Sequence, residues 1–250
     1  GYNKRWIGSP DHIRVIRSTA EAVAAVQEMV DTNKRFSVRS GGGCFENFVY
    51  NPQIETVLDL STLDEVTYDE ERRAAAIQPG AILMNVYDTL LHRWGVTLPA
   101  GLCYSVGMGG HAAGGGYGLM SRQFGLVVDH LHAVEVVVVD AEGRARAVVA
   151  TAEPDDPHHD LWWAHTGGGG GNFGVVTRYW FRTPGATGDD PRTLLPQPPS
   201  HVLLNVTAIP WSAVDEADFA RLLRNYIGWL NDHSAPGTPE TALSSLFGLN

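Results

Sequence analysis

The spacing of apolar residues changes several times along the chain, and each change predicts an element. Ala22, Val23, Val26, Met29 and Val30 recur at helical spacing behind Ser18-Thr19-Ala20-Glu21, which has the separation of a capping box, so a helix is predicted over 19–32. Ile82, Leu83, Val86, Leu90 and Leu91 mark a second helix that stops at Gly95. Short extended runs lie at Val15-Ile16, in "RFSVRS" (35–40), at 55–60 and at 72–78, with a polar stretch between the last two. Residues 133–139 and 144–150 form a hairpin across the turn Asp140-Ala141-Glu142-Gly143, and 174–182 is a further strand. Short helices are expected around 107–115 and at 158–164. Short helices among strands and hairpins read as α+β rather than as a regular series of βαβ units.

The pattern then breaks. Residues 183–200 are rich in Pro, Gly and Asp, and 186–200 is the expected linker. It separates a first domain, 1–185, from the beginning of a second, 201–250. The second opens on an alternating strand, His201–Ile209, followed by a helix at about 214–231 that carries Phe219, Leu222, Leu223, Ile227 and Leu230. Neither Gly1-Tyr2-Asn3-Lys4 nor "TALSSLFGLN" reads as a natural end, so further chain is expected on both sides.

Composition narrows the function. With 250 residues, 44% of them apolar, the chain can bury a core, and no apolar run approaches the ~18 residues that span a bilayer. A formal net charge of −10 without a basic stripe argues against nucleic acid as a partner. Backbone amides can still hold an anion. The two cysteines, Cys44 and Cys103, make neither a disulfide framework nor a metal set. His158-His159-Asp160 lacks a spaced third ligand and reads as structural, so no metal is expected. His130 and His132 also read as structural, whereas His165 borders a glycine run and is a candidate contact for cofactor or substrate. Trp162 and Trp163 are expected in the core. Asn205-Val206-Thr207 matches a glycosylation sequon but falls inside the expected strand.

Glycine supplies the candidate chemistry. Clusters at 41–43, 107–118 and 167–174, each flanked by apolar or aromatic segments, suggest one extended anionic ligand met by backbone in several places. A dinucleotide fits that better than a small metabolite. There is no P-loop sequence. "GMGGHA" (107–112) matches a Rossmann variant on paper, but no buried strand directly precedes its first glycine.

The segments "VRSGG", "CFE", "CYSVGMGGHAAGGGYG", "SRQFGLVVDHL" followed by "AVEVVVVD", and "DLWWAHTGGGGGNFGVVT" together resemble the FAD-binding domain of the vanillyl-alcohol-oxidase/PCMH-type flavoproteins. The likeness is to the berberine-bridge-enzyme-like branch, which includes hexose and oligosaccharide oxidases and bacterial antibiotic-biosynthesis oxidases. It covers about residues 1–182. It implies an α+β domain of two α/β subdomains with FAD between them, followed by a substrate domain built on an antiparallel sheet with helices.

By resemblance, Arg39, Ser40, Gly41, Gly42 and Gly43 lie against the pyrophosphate. Gly101, Val106, Gly107, Gly110 and His111 continue the wall, with Gly115, Gly116 and Gly118 nearby. Gly171, Asn172, Gly174 and Val176 close the site. Cys103 stands where relatives attach the flavin, and Gly43 where doubly attached relatives carry histidine, so FAD attached through Cys103 only is expected. The implied reaction is oxidation of an alcohol, sugar or glycosylated natural product, with molecular oxygen as the other partner. Its alternatives are a dehydrogenase with poor oxygen reactivity and a silent FAD- or carbohydrate-binding protein. The catalytic base is expected in later sequence; oligomeric state and cytoplasmic or secreted localisation stay open.

Overall fold

The computed structural model describes residues 3–249; Gly1, Tyr2 and Asn250, part of the expectation about the ends, lie outside the described residues. Two sheets make up the framework. In the first, β1 (His12–Val15) and β2 (Phe36–Arg39) flank β3 (Thr56–Asp59), and both pair with it in parallel. All of β3 is buried, as a central parallel strand covered on both faces must be. Helix α1 (Thr19–Asp31) joins β1 to β2 and begins as the sequence predicts: the Glu21 amide donates to Ser18 Oγ at 3.1 Å, while Glu21 Oε2 accepts from the Arg17 amide at 2.8 Å. Its apolar face buries Ala22, Ala25, Val26 and Met29.

The second sheet is antiparallel, in the order β4 (Val66–Asp69), β5 (Ala74–Ile77), β8 (Val175–Phe181), β6 (Leu131–Val139), β7 (Ala145–Thr151). β4 falls in the stretch that reads as merely polar. It is an edge strand in which Val66 is the one buried residue, so it never needed an apolar alternation. Helix α1 packs on this sheet as well as its own. Thr19 and Thr177 both donate to Glu135 Oε1, at 2.7 and 2.6 Å, and the Gln27 amide group bonds Gly143 and Ala145 across the β6–β7 turn. The result is the α+β PCMH-type arrangement, with parallel and antiparallel sheets and flanking helices.

Helix α2 (Leu83–Trp94) ends at Gly95 in the left-handed region at φ 68°. Its side chains Leu83, Val86 and Leu90 join β5, β6 and β8 in the larger core. Three short helices complete the site region: α3 (Met108–Ala113), α4 (Ser121–Phe124) and α5 (His159–Ala164). The expected core pair divides at α5. Trp162 packs on the large core and donates from Nε1 to the Leu131 carbonyl at 2.9 Å, whereas Trp163 is 66% exposed.

Beyond residue 182 the segment 183–200 returns to the body of the fold, with Tyr68 Oη donating to the Asp189 carbonyl at 2.8 Å. Leu194 and Leu195 are buried, and the Thr97 amide donates to the Pro196 carbonyl at 2.8 Å. The alternating segment 201–209 forms no strand, a correction to the sequence reading: among the described residues no other strand lies beside it, and Leu203 is 99% exposed. Asn205 is accordingly exposed and outside any strand. Helix α6 (Glu216–Asp232) forms with Asp215 as its cap, yet none of its residues is buried.

Candidate flavin site

The site grows from the end of β2. Arg39 forms an ion pair with Asp59 at the end of the neighbouring β3, and the Asp59 side chain is only 12% exposed. Asp59 Oδ1 also accepts from the Ser61 amide at 3.0 Å. The guanidinium lies under the next loop, because a Cβ built at Gly42 would meet Arg39 Nε at 3.0 Å. Ser40 Oγ donates to the Pro79 carbonyl at 2.5 Å, and the Gly109 amide donates to the same oxygen at 2.8 Å. Arg39 and Ser40 therefore spend their polar groups on placing the loop.

The three consecutive glycines answer to three different demands. At Gly41 a Cβ would stand 2.4 Å from the Gly107 backbone nitrogen, so here two backbones cross. Gly42 sits at φ 75°, where side chains are disfavoured. Gly43 has neither constraint: a Cβ there meets only Val106 Cγ2, at 3.8 Å. Space does not impose glycine at 43. Among the described residues the amides of Gly41, Gly42 and Gly43 have no protein acceptor.

From the crossing the second cluster continues through α3. The α3 amides of Met108 and Gly109 donate to Ala81 and Pro79, so this end of the helix is consumed by the protein. The Gly101 amide donates to His111 Nε2 at 3.0 Å, which puts the proton of the neutral ring on Nδ1, and burial holds His111 below the usual histidine pKa. The Gly101 carbonyl accepts from Tyr87 Oη at 2.7 Å, and burial pushes that phenol up. Gly118 is wedged against Ala100, where a Cβ would lie 1.8 Å from the carbonyl oxygen. Gly115 and Gly116 offer their carbonyls to Val128 and Val127.

The third cluster approaches the second at one point: a Cβ on Gly170 would stand 3.0 Å from the Ala113 carbonyl oxygen. All residues from 167 to 173 are exposed. The amides of 169–173 have no protein acceptor among the described residues. Gly174 backs onto β6, 2.5 Å from the Val137 oxygen measured from a built Cβ, and Val176 follows inside β8. His165, buried beneath the run, donates from Nδ1 to the Leu161 carbonyl at 2.7 Å and stacks edge-on with Phe173. Burial lowers its pKa, partly offset by that hydrogen bond.

Clusters far apart in sequence thus form one belt, joined at Gly41–Gly107 and at Ala113–Gly170. Along 40–44, 101–118 and 167–174 there is no Asp or Glu, although the chain carries −10 overall. A carboxylate-free lining with unpaired amides and open space over Gly110 and Gly171 fits an anionic dinucleotide. Sequence reasoning missed Asp59, Pro79 and Tyr87. Pro79-Gly80 reads only as punctuation, and Asp59 and Tyr87 lie within ordinary strand and helix patterns.

The comparisons agree. Residues 10–148 match the profile of the family described as FAD binding domain. Aclacinomycin-N/aclacinomycin-A oxidase of Streptomyces galilaeus is 53% identical over 250 residues, 100% of this chain and 46% of the relative. Hexose oxidase of Chondrus crispus is 36% identical over 232 residues, 90% of this chain and 40% of the relative. A crystal structure of a glycopeptide hexose oxidase complexed with teicoplanin superposes with a TM-score of 0.91 at 52% identity, covering 96% of this chain and 48% of that one. The chain spans about half the length of these relatives.

One related structure corrects the expected attachment. Berberine bridge enzyme, 28% identical with a TM-score of 0.61 over 72% of this chain and 34% of that one, was solved as a variant with alanine in place of a histidine. That points to histidine, not cysteine, as the residue of covalent attachment. FAD through Cys103 only therefore does not stand, although FAD does. Cys103 is an exposed free thiol and Cys44 a half-buried one.

Glycine belt, sheet order and profile converge: the chain belongs to the FAD binding domain family, in the berberine-bridge-enzyme-like branch of the vanillyl-alcohol-oxidase/PCMH superfamily.

Proposed function

We propose that this chain is the flavin-holding half of an oxidase acting on a sugar or glycosylated natural product. The observation that carries the reading is the carboxylate-free belt with unpaired amides at 41–43 and 169–173. Relatives named for oxidising aclacinomycin and hexose, and one bound to teicoplanin, support the substrate class. Residues 1–185 would bind the cofactor, 186–200 connect, and 201–250 begin the substrate domain. No helix of the described residues is long and apolar enough to cross a membrane.

When bound, FAD would supply a two-electron acceptor for oxidation of the substrate, with molecular oxygen taking up the two electrons and two protons as hydrogen peroxide. The chain's own part is to bind and orient. Amides at 41–43 and 169–173 would meet the pyrophosphate, and Asp59, through Arg39, keeps the first loop in place. Gly110 and Gly171 border open space and Asn172 is exposed, and all three would line the cofactor side. His111, neutral and tied to Gly101, presents Nδ1–H as a donor.

Purified full-length protein should show a flavin absorption band that a sugar or glycoside bleaches without air, with peroxide formed in air. Bleaching without peroxide would reassign the protein as a dehydrogenase. A band that no sugar, glycoside or alcohol bleaches would overturn the enzymatic reading.

A further inference from the structure

Residues 202–249 make few attachments to what precedes them. No side chain of α6 is fully buried, although Phe219, Leu222, Leu223 and Leu230 are half-buried and Thr241, beyond the helix, is buried. The guanidinium of Arg122 carries three hydrogen bonds from the first unit to 202–249. Arg122 Nη2 donates to the His233 carbonyl at 2.7 Å, and Nη1 to the carbonyls of Leu243 at 2.6 Å and Glu240 at 3.2 Å. Its Cζ also stands 5.3 Å over the Trp229 ring.

The chemistry suits arginine. A planar fork of donors can serve several carbonyls at once, and a cation is favoured at the C-terminal end of a helix, where His233 caps α6. The other end of the connection is equally fixed. Arg122 follows Ser121, whose Oγ accepts from the Gly118 amide at 2.9 Å and donates to the Pro99 carbonyl at 3.2 Å. Gly118 is the glycine wedged on Ala100. One residue thus couples the glycine belt to the C-terminal segment.

We propose that Arg122 is a positioning residue: it clamps 202–249 onto the flavin-binding unit and so sets the substrate side of the site relative to the flavin. This rests on the function proposed above. Arg122 touches neither cofactor loop nor substrate in this role. Its loss should impair substrate turnover and leave flavin content alone.

The test compares Arg122→Ala and Arg122→Lys with the parent in the full chain loaded with FAD. Expected are an unchanged flavin-to-protein absorbance ratio and unchanged bleaching by dithionite, with kcat/KM lowered roughly ten- to hundredfold in Arg122→Ala, the loss of charge-assisted hydrogen bonds. Lysine, with its single donor centre, should restore only part of that. Guanidinium chloride at low millimolar concentration should raise the activity of Arg122→Ala, and sodium chloride at the same ionic strength should not. Limited proteolysis supplies an arm independent of any substrate: cleavage within 233–243 should be faster in Arg122→Ala than in the parent. Unchanged kinetics, no response to guanidinium, or flavin lost in step with activity would overturn the clamp. If the parent oxidises no sugar or glycoside, the proposed function fails, and proteolysis alone then decides: equal cleavage in parent and variant overturns the clamp, and faster cleavage in the variant supports it.

Discussion

At Gly118 a Cβ would lie 1.8 Å from the Ala100 carbonyl oxygen, whereas at Gly171 nothing in the protein stands within 4 Å. Both glycines belong to runs that read alike in the sequence. The first group, with Gly41 and Gly107, lets two backbones cross and so builds the floor of the belt. The second, with Gly110 and Gly43, borders space that the protein leaves open. Glycine richness therefore covers two situations, chain packed against chain and chain bordering open space. The two kinds differ in what a methyl group should do to them.

The largest effect is expected where chains cross. Gly118→Ala places a methyl group inside the van der Waals distance of a backbone oxygen that cannot rotate away, so a loss of about 3 kcal/mol or more is expected. In a chain of this size that lowers Tm by roughly 6–12 °C. Gly41→Ala should do the same against the Gly107 backbone. Thermal unfolding checks both, and a Tm within error of the parent would show that the crossings yield easily.

Asp59→Asn comes next. It removes the charge that Arg39 faces while keeping the shape, and Arg39 is 30% exposed, so water offsets part of the loss. About 1–2 kcal/mol is expected, between the ranges for surface and buried pairs. Because Arg39 lies under Gly42, flavin affinity should fall as well. Titration of the flavin-depleted protein with FAD measures that, and unchanged affinity would leave Asp59 with stability alone.

How much of this was legible follows from the same contrast. The Ser18 cap, the Gly95 stop and the 140–143 turn were readable because each is a local signal with its own chemistry. β4 was not, since an edge strand with one buried residue carries no alternation. Segment 201–209 failed in the opposite way: its alternation is real, but a strand needs a partner and none is described beside it. The three glycine clusters were visible as clusters. Which glycine crosses a chain and which borders open space depends on residues well outside its own run, such as Gly107 against Gly41 or Ala100 against Gly118, and period and spacing carry none of that. Asp59 was hidden for the same reason, an aspartate closing a buried strand whose partner is on the strand beside it.

Acid should act on the packed region first. His130 is buried at 2% exposure, with Nε2 donating to the Phe124 carbonyl and Nδ1 accepting from Thr183 Oγ1. Burial holds its pKa below the ordinary value, with the Phe124 hydrogen bond and Asp129 pulling the other way. Unfolding then binds a proton that the folded state refuses. Stability should be full above the unfolded value near 6.5 and fall as pH drops from there towards the folded pKa. Denaturant midpoints across this window check it, with a shallower slope expected in His130→Asn.

The smallest effect on stability separates the two kinds of glycine most cleanly. Gly110 lies inside α3, exposed, with nothing within 4 Å of a built Cβ. Alanine is the better helix former by about 1 kcal/mol, so Gly110→Ala should raise the Tm of the flavin-depleted protein by roughly 2–4 °C. If Gly110 lines the proposed cofactor wall, the same methyl group pushes against FAD and affinity should fall. Gly43→Ala, outside any helix and with a built Cβ 3.8 Å from Val106 Cγ2, should leave stability within about 0.5 kcal/mol of the parent. Opposite signs for stability and affinity at Gly110 are a signature that no packing role produces, because a crossing glycine loses both together. A rise in Tm with unaltered FAD affinity would remove Gly110 from the cofactor wall and shift the open side of the belt towards Gly43 and Gly171.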